Sequence, residues 1–248
     1  MNQSDAKFPL TITAAKRKPK TTNDLMGSKI DETRKSDPVN IGDLPDWESG
    51  GGYNNIMALL MTATPEEIDY WRNWYRNAQA DVEALAKKYD EPFDLVAAVV
   101  AVLSPGNKWT SNLRAAENIL LEVHDEKMSD DPSVNIGYRK MSAYPENARK
   151  ARDILITGRV EEHLRGPKVT VFYHSLMDPS STKSHMVLDG HAINIWRGVK
   201  VPLKGLRTPS EDEREAMLRD YARAAADSGL DVQEVQAITW FLWKTSQH

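Results

Sequence analysis

The chain has 248 residues, 40% of them hydrophobic and 27% charged, with no cysteine and a formal net charge of −4. This is an ordinary globular composition, large enough for one substantial core or for two helical lobes around a cleft. The missing cysteines exclude disulfides, cysteine-ligated zinc or iron–sulfur clusters and thiol nucleophiles, and the mild acidity does not announce a nucleic-acid binder, although phosphate contact needs only a local basic patch.

Residues 1–46 read as a flexible basic and polar tail with no sustained period. Its cluster Lys16-Arg17-Lys18-Pro19-Lys20 reads as solvated rather than as a phosphate tether. The N-terminus lacks the apolar core of a signal peptide, and the longest apolar run, Leu95 to Leu103, is too short to span a bilayer. A cytoplasmic protein without a membrane partner is expected. Residues 47–248 read as one helical domain.

Tyr53 to Met61 predicts a short apolar helix. Thr64-Pro65-Glu66-Glu67 is a helix start with a capping box. From there the pattern predicts one helix to about Tyr89, with Trp71, Trp74 and Tyr75 on its apolar side. That aromatic stripe reads as core rather than as a base-stacking platform. Glu91-Pro92 opens a helix whose Leu95–Leu103 run predicts burial on all sides. It delivers a loop, Ser104 to Trp109, with a Pro105-Gly106 turn. Asn107, Lys108, Trp109 and Asn112 fall at the next helix start, where binding residues often lie. The residues alone leave open whether Asn107 and Trp109 bind a ligand or merely cap and pack. Glu126 to Asn135 is polar and turn-rich, and Met141 to Leu155 includes a basic helix whose charges a solvated face explains.

Glu161 to Gly198 is the informative stretch. A short helix ends at a glycine turn, His163-Leu164-Arg165-Gly166-Pro167-Lys168. Gly166 suits the positive φ of a tight turn, and Pro167 fits the first position of the following helix. Free N–H groups at that helix start, with Lys168 beside them, make an anion site. After a polar loop comes Val187-Leu188-Asp189-Gly190-His191. A carboxylate at such a helix entrance is an N-cap or a working group. Val199 to Pro209 reads as a connector, and Ser210 with Glu213 opens a helix that runs to Ser228 and stops at Gly229. Asp231 caps a last helix, Val232 to Trp243, in which Gln236 makes either a polar core contact or a substrate contact. No strand pattern appears, so the expected fold class is all-α. No metal site is expected, since the histidines lack ligand spacing.

These segments together resemble the helix-hairpin-helix DNA glycosylase superfamily, whose hairpin clamps a DNA phosphate and whose later aspartate does the chemistry. Leu164-Arg165-Gly166 stands for the hairpin start, Leu188-Asp189-Gly190-His191-Ala192 for the aspartate segment, and Arg197-Gly198 for the close of its helix. Upstream, Ala97 to Ser104, Asn112 with Ala115 to Leu120, and Tyr144 with Asn147 to Leu155 resemble the family's earlier helices. The likeness spans roughly Asp94 to Gly198. The departures resemble one divergent branch, the bacteriophage α-glutamyl/putrescinyl-thymidine pyrophosphorylases. That branch carries L-S-P-x-x-x-W-x-x-N, N-A-x-K-A-x-x-I-L, G-x-K-V-x-x-F-Y and Q-A-x-x-W-x-x-W, and all four have counterparts here, the last at Gln236 to Trp243.

The resemblance implies a two-lobed, glycosylase-like catalytic domain acting on double-stranded DNA. The reaction would displace phosphate or pyrophosphate from 5-(phospho-oxymethyl)uracil with the amine of an amino acid or polyamine, without a cofactor. A DNA base kinase is a partner such chemistry can call on, and the location would be host cytoplasm. Asp189 and Lys168 are the implied catalytic residues. Gly166, Pro167, Lys168, Thr170 and Arg197 would hold phosphate. Ser104, Asn107, Trp109, Asn112, His191 and Gln236 would shape the base pocket. Thr170 stands where bifunctional glycosylases place a Schiff-base lysine, which argues against lyase activity. The alternatives are a monofunctional base-excising glycosylase and a DNA-binding module without chemistry.

Overall fold

The computed structural model describes residues 51–128, 143–180 and 186–245. The expected tail, its basic cluster and most of the polar stretch from Glu126 to Asn135 lie outside them. Within the described residues the protein is all-α, with no strand. No helix there is long and apolar enough to cross a membrane.

The helices are α1 (Gly51–Leu60), α2 (Pro65–Trp71), α3 (Trp74–Tyr89), α4 (Phe93–Leu103), α5 (Trp109–Met128) and α6 (Pro145–Thr157), then α7 (Val160–His163), α8 (Pro167–Met177), α9 (Gly190–Arg197), α10 (Glu211–Ser228) and α11 (Val232–Thr245). Local chemistry sets many of their ends. Both capping boxes form: Thr64 with Glu67 at α2, and Ser210 with Glu213 at α10. Gly158, Gly198 and Gly229 close α6, α9 and α10 in the left-handed conformation. At α11, the Glu234 carboxylate accepts from the Asp231 N–H at 3.0 Å.

One predicted boundary was wrong. The continuous helix from Pro65 to Tyr89 is two helices, broken at Arg72 and Asn73. Asn73 sits at φ −89°, ψ 6°, and its side chain donates back to the Asp69 carbonyl at 3.0 Å. Such local bonding offers the backbone an alternative to the helical ladder. The break sets Trp71 and Trp74 against different aromatic partners. Trp71 stacks on Phe241 with centroids 4.0 Å apart, whereas Trp74 meets Trp109 edge to face at 5.5 Å.

Two hydrophobic clusters result. The first surrounds α4, whose residues Val96 to Leu103 are all buried, and draws on α3, α5, α6 and α8. A helix apolar all round must be enclosed on every side, and these four neighbours enclose it. The second joins α1, α9, α10 and α11, with Trp196 fully buried at its centre and Trp71 at its edge. Trp74 packs against both clusters. Tyr75 belongs to the first, yet its hydroxyl donates to Gln236 Oε1 on α11 at 2.9 Å.

Candidate functional site

The seam between the clusters opens into a cavity of about 230 Å³. An apolar cavity of about 150 Å³ is enough to hold benzene, so this one admits a single planar heterocycle. Its walls are rich in aromatic rings: Trp71, Trp74 and Tyr75 from α2–α3, Trp109 and Phe172 from α5 and α8, and Trp240 and Phe241 from α11. The polar groups come from four separate segments.

The first is the loop after α4. A helix leaves its last carbonyls unpaired, and this loop satisfies them. Asn107 Nδ2 donates to the Leu103 carbonyl at 2.8 Å, the Ser104 N–H to Ala101 at 3.2 Å, and Asn112 Nδ2 to Val100 at 2.9 Å. Asn107 therefore caps the helix behind it, not the one ahead. Ser104, Asn107, Lys108, Trp109 and Asn112 all line the cavity. Trp109 is held in place by its indole N–H, which donates to Asp81 at 2.9 Å.

The second segment is the turn between α7 and α8. Gly166 has φ 94° and supplies no capping side chain, and Pro167 has no N–H to cap. The Thr170 N–H already returns to the Gly166 carbonyl at 3.2 Å. The N–H groups of Lys168 and Val169 are left at an uncapped helix start, and the Lys168 side chain lines the cavity while remaining exposed.

Asp189, from the third segment, is the only carboxylate among the described residues that line the cavity. It is also the N-cap of α9. Its Oδ1 accepts from the N–H groups of His191 and Ala192 at 3.0 and 2.9 Å. The cap holds Oδ1 in place, and the residue lines the cavity.

On α11, the fourth segment, Gln236 is buried with its oxygen taken by Tyr75, which leaves the NH₂ face to a ligand. Lys244, one helical turn beyond Trp240, lies 5.3 Å over that indole and also lines the cavity.

Burial gives the cavity a direction. Asn112 and Gln236 are 2% and 6% exposed and lie at its inner end, while Lys108 and Lys168 are exposed at its rim. The field has a matching sense. Burial pushes the His191 imidazole below its ordinary pKa; Asp189 opposes this, and Lys244, Lys168 and Lys200 reinforce it. Burial likewise holds the Tyr75 hydroxyl protonated far above the phenol range, with Asp189 adding to the effect. The cavity is thus aromatic, with one anchored carboxylate and a cationic mouth. It suits a flat ring bearing an anionic substituent.

Five expected residues do not line the cavity: Gly166 and Pro167, which form the turn before α8, and Arg197, Thr170 and His191. Arg197 is committed to a buried ion pair with Glu213 at 3.2 Å and to the Arg207 carbonyl at 3.4 Å. It ties α9 to α10 and is not among the residues that line the cavity. Thr170 spends its hydroxyl on the Leu164 and Gly166 carbonyls, at 3.3 and 3.2 Å, closing the turn. His191 is not a lining residue, and its ring meets Trp240 in a T-shaped contact at 6.0 Å. Sequence reading missed Trp71, Trp74 and Trp240 as cavity walls because helical spacing marks them equally as core. It missed Lys244 because nothing local distinguishes a lysine near a helix end.

A family model described as "Family of unknown function (DUF7178)" matches residues 51–247. No curated protein and no solved structure matches the chain.

Proposed function

The chain belongs to the DUF7178 family, and we propose that it is a DNA base-modifying transferase that works on a pyrimidine held in the seam cavity. The observation that carries this reading is the convergence of four distant segments on one space. Asn107, Trp109 and Asn112, then Lys168, Asp189 and Gln236, are spread over about half the chain and line the same cavity. On this reading the two clusters are the lobes of a glycosylase-like fold, and α7, Gly166 and α8 form its phosphate-binding hairpin.

The substrate is 5-(phospho-oxymethyl)uracil in double-stranded DNA. Its base leaves the stack at a cost of a few kcal/mol and stacks between the cavity aromatics. The phosphate or pyrophosphate rests at the mouth, where the α8 N–H groups and Lys168 make charge-assisted hydrogen bonds worth about 1.5–3 kcal/mol each. An amino acid or polyamine supplies the nucleophile. A C–N bond forms at the exocyclic methylene as the C–O bond breaks, and the leaving group departs with the bonding pair. The proton displaced from the amine passes to Asp189 Oδ2, acting as general base. Lys168 balances charge building on the leaving oxygen.

The test is nucleoside mass analysis. The full chain is incubated with DNA containing phosphorylated 5-hydroxymethyluracil and a mixture of amino acids and polyamines, and the DNA is digested and its nucleosides weighed. A nucleoside carrying an added amine, with phosphate released, is the expected result. Free base with abasic DNA would instead identify a monofunctional N-glycosylase, with Asp189 activating water. Unchanged DNA that still binds would leave a binding module.

A further inference from the structure

The Asn112 amide has one permissible orientation. Its Nδ2 donates to the Val100 carbonyl at 2.9 Å, and a carbonyl only accepts. Flipping the amide would set two oxygens against each other. Asn112 Oδ1 is therefore fixed as an acceptor. It is buried, and it has no hydrogen-bond partner. Buried acceptors left unpaired are uncommon and costly, so each calls for an explanation. Asn194 Oδ1 is also unpaired, but Asn194 does not line the cavity, whereas Asn112 does.

We propose that Asn112 is the specificity-determining residue of the cavity, its Oδ1 accepting a hydrogen bond from an N–H on the edge of the bound ring. This rests on the reading of the cavity as a pyrimidine site, where that group is the N3–H of the uracil imide. Gln236 supports the match. With its oxygen engaged by Tyr75, it presents donors to the same cavity. An imide edge sets an N–H between two carbonyl oxygens, and a wall offering both an acceptor and donors is its complement. The requirement acts through the ring nitrogen alone and is independent of the anionic substituent at the mouth.

The probes are 5-hydroxymethyl-2′-deoxyuridine 5′-monophosphate and its N3-methyl derivative, each titrated against the full chain by calorimetry and by quenching of tryptophan fluorescence. These ligands differ only at the proposed contact, and neither asks the protein to turn over. Methylation is expected to weaken binding by on the order of tenfold or more in the wild type. In Asn112→Ala, the two nucleotides are expected to bind within about twofold of each other, because the residue that senses the proton is gone. Should Asn112→Ala lose its fold, Asn112→Leu keeps the volume and gives the same comparison. Equal binding of both nucleotides by the wild type overturns the proposal and leaves the pyrimidine site standing. So does a methylation penalty that persists undiminished in the Asn112 variant. If neither nucleotide binds, the pyrimidine reading itself falls and takes the proposal with it.

Discussion

Tyr75 donates its hydroxyl to Gln236 Oε1 at 2.9 Å, a hydrogen bond between α3 and α11 buried from solvent and adjoining the cavity. Removing one partner strands the other. Tyr75→Phe leaves a buried amide oxygen unpaired and is expected to destabilise the protein by about 1–3 kcal/mol in urea unfolding. Replacing both partners is milder. The double variant Tyr75→Phe with Gln236→Leu is expected to recover part of that loss, since two apolar groups leave nothing unsatisfied.

A second close approach joins Gly52 of α1 to Trp196 of α9. A Cβ at position 52 would lie 2.0 Å from the indole Nε1. That ring has no room to give: Trp196 is fully buried and its N–H donates to Asp220 at 2.7 Å. Gly52→Ala, ordinarily favourable in a helix, is expected instead to cost about 1–3 kcal/mol by overpacking. Thermal unfolding against wild type measures it, and a rise in Tm would show that α1 can shift away.

Signals confined to one helical turn were legible before the structure. The capping boxes at Thr64 and Ser210, the glycine stop at Gly229 and the run from Leu95 to Leu103, enclosed at every residue but the half-buried Leu95, follow from side-chain chemistry within a few residues. The break at Arg72–Asn73 was hidden because the apolar period continues through it, while the Asn73 side chain bonds back to the Asp69 carbonyl. Arg197 shows the opposite limit. A basic residue at a helix C-terminus fits anion binding as well as it fits a partner, and that partner, Glu213, lies in another helix. Residues such as Asn112 and Gln236 could be singled out as polar groups in apolar helices, but which atom of each is occupied depends on carbonyls and hydroxyls that only the fold brings near.

His191 provides a pH test. Its folded-state pKa lies below the ordinary value of about 6.5, first through burial, so the unfolded chain binds the proton more readily. Stability from this group is fully present above about pH 6.5 and is lost as pH falls from there toward the folded-state value. Glu117, Glu146 and Glu213 are shifted downward, so their losses begin only near and below the ordinary carboxylate pKa of about 4.3. Unfolding free energies measured between about pH 5 and 7 should therefore slope upward with pH in the wild type. In His191→Gln the slope should flatten; an unchanged slope would assign it to other groups.

Asp189 is where capping can be separated from the proposed chemistry. Asparagine caps a helix about as well as aspartate. Asp189→Asn should keep the bonds to the His191 and Ala192 N–H groups and unfold within about 0.5 kcal/mol of wild type. Asp189→Ala loses the cap and should cost about 0.5–2 kcal/mol. On the proposed function both variants lose the carboxylate that acts as base in the cavity, so both should bind substrate DNA yet form no modified nucleoside. The diagnostic result is thus a stable Asp189→Asn protein that binds and does not react. Turnover by that variant at the wild-type rate would reduce Asp189 to a cap and remove the proposed base from the mechanism.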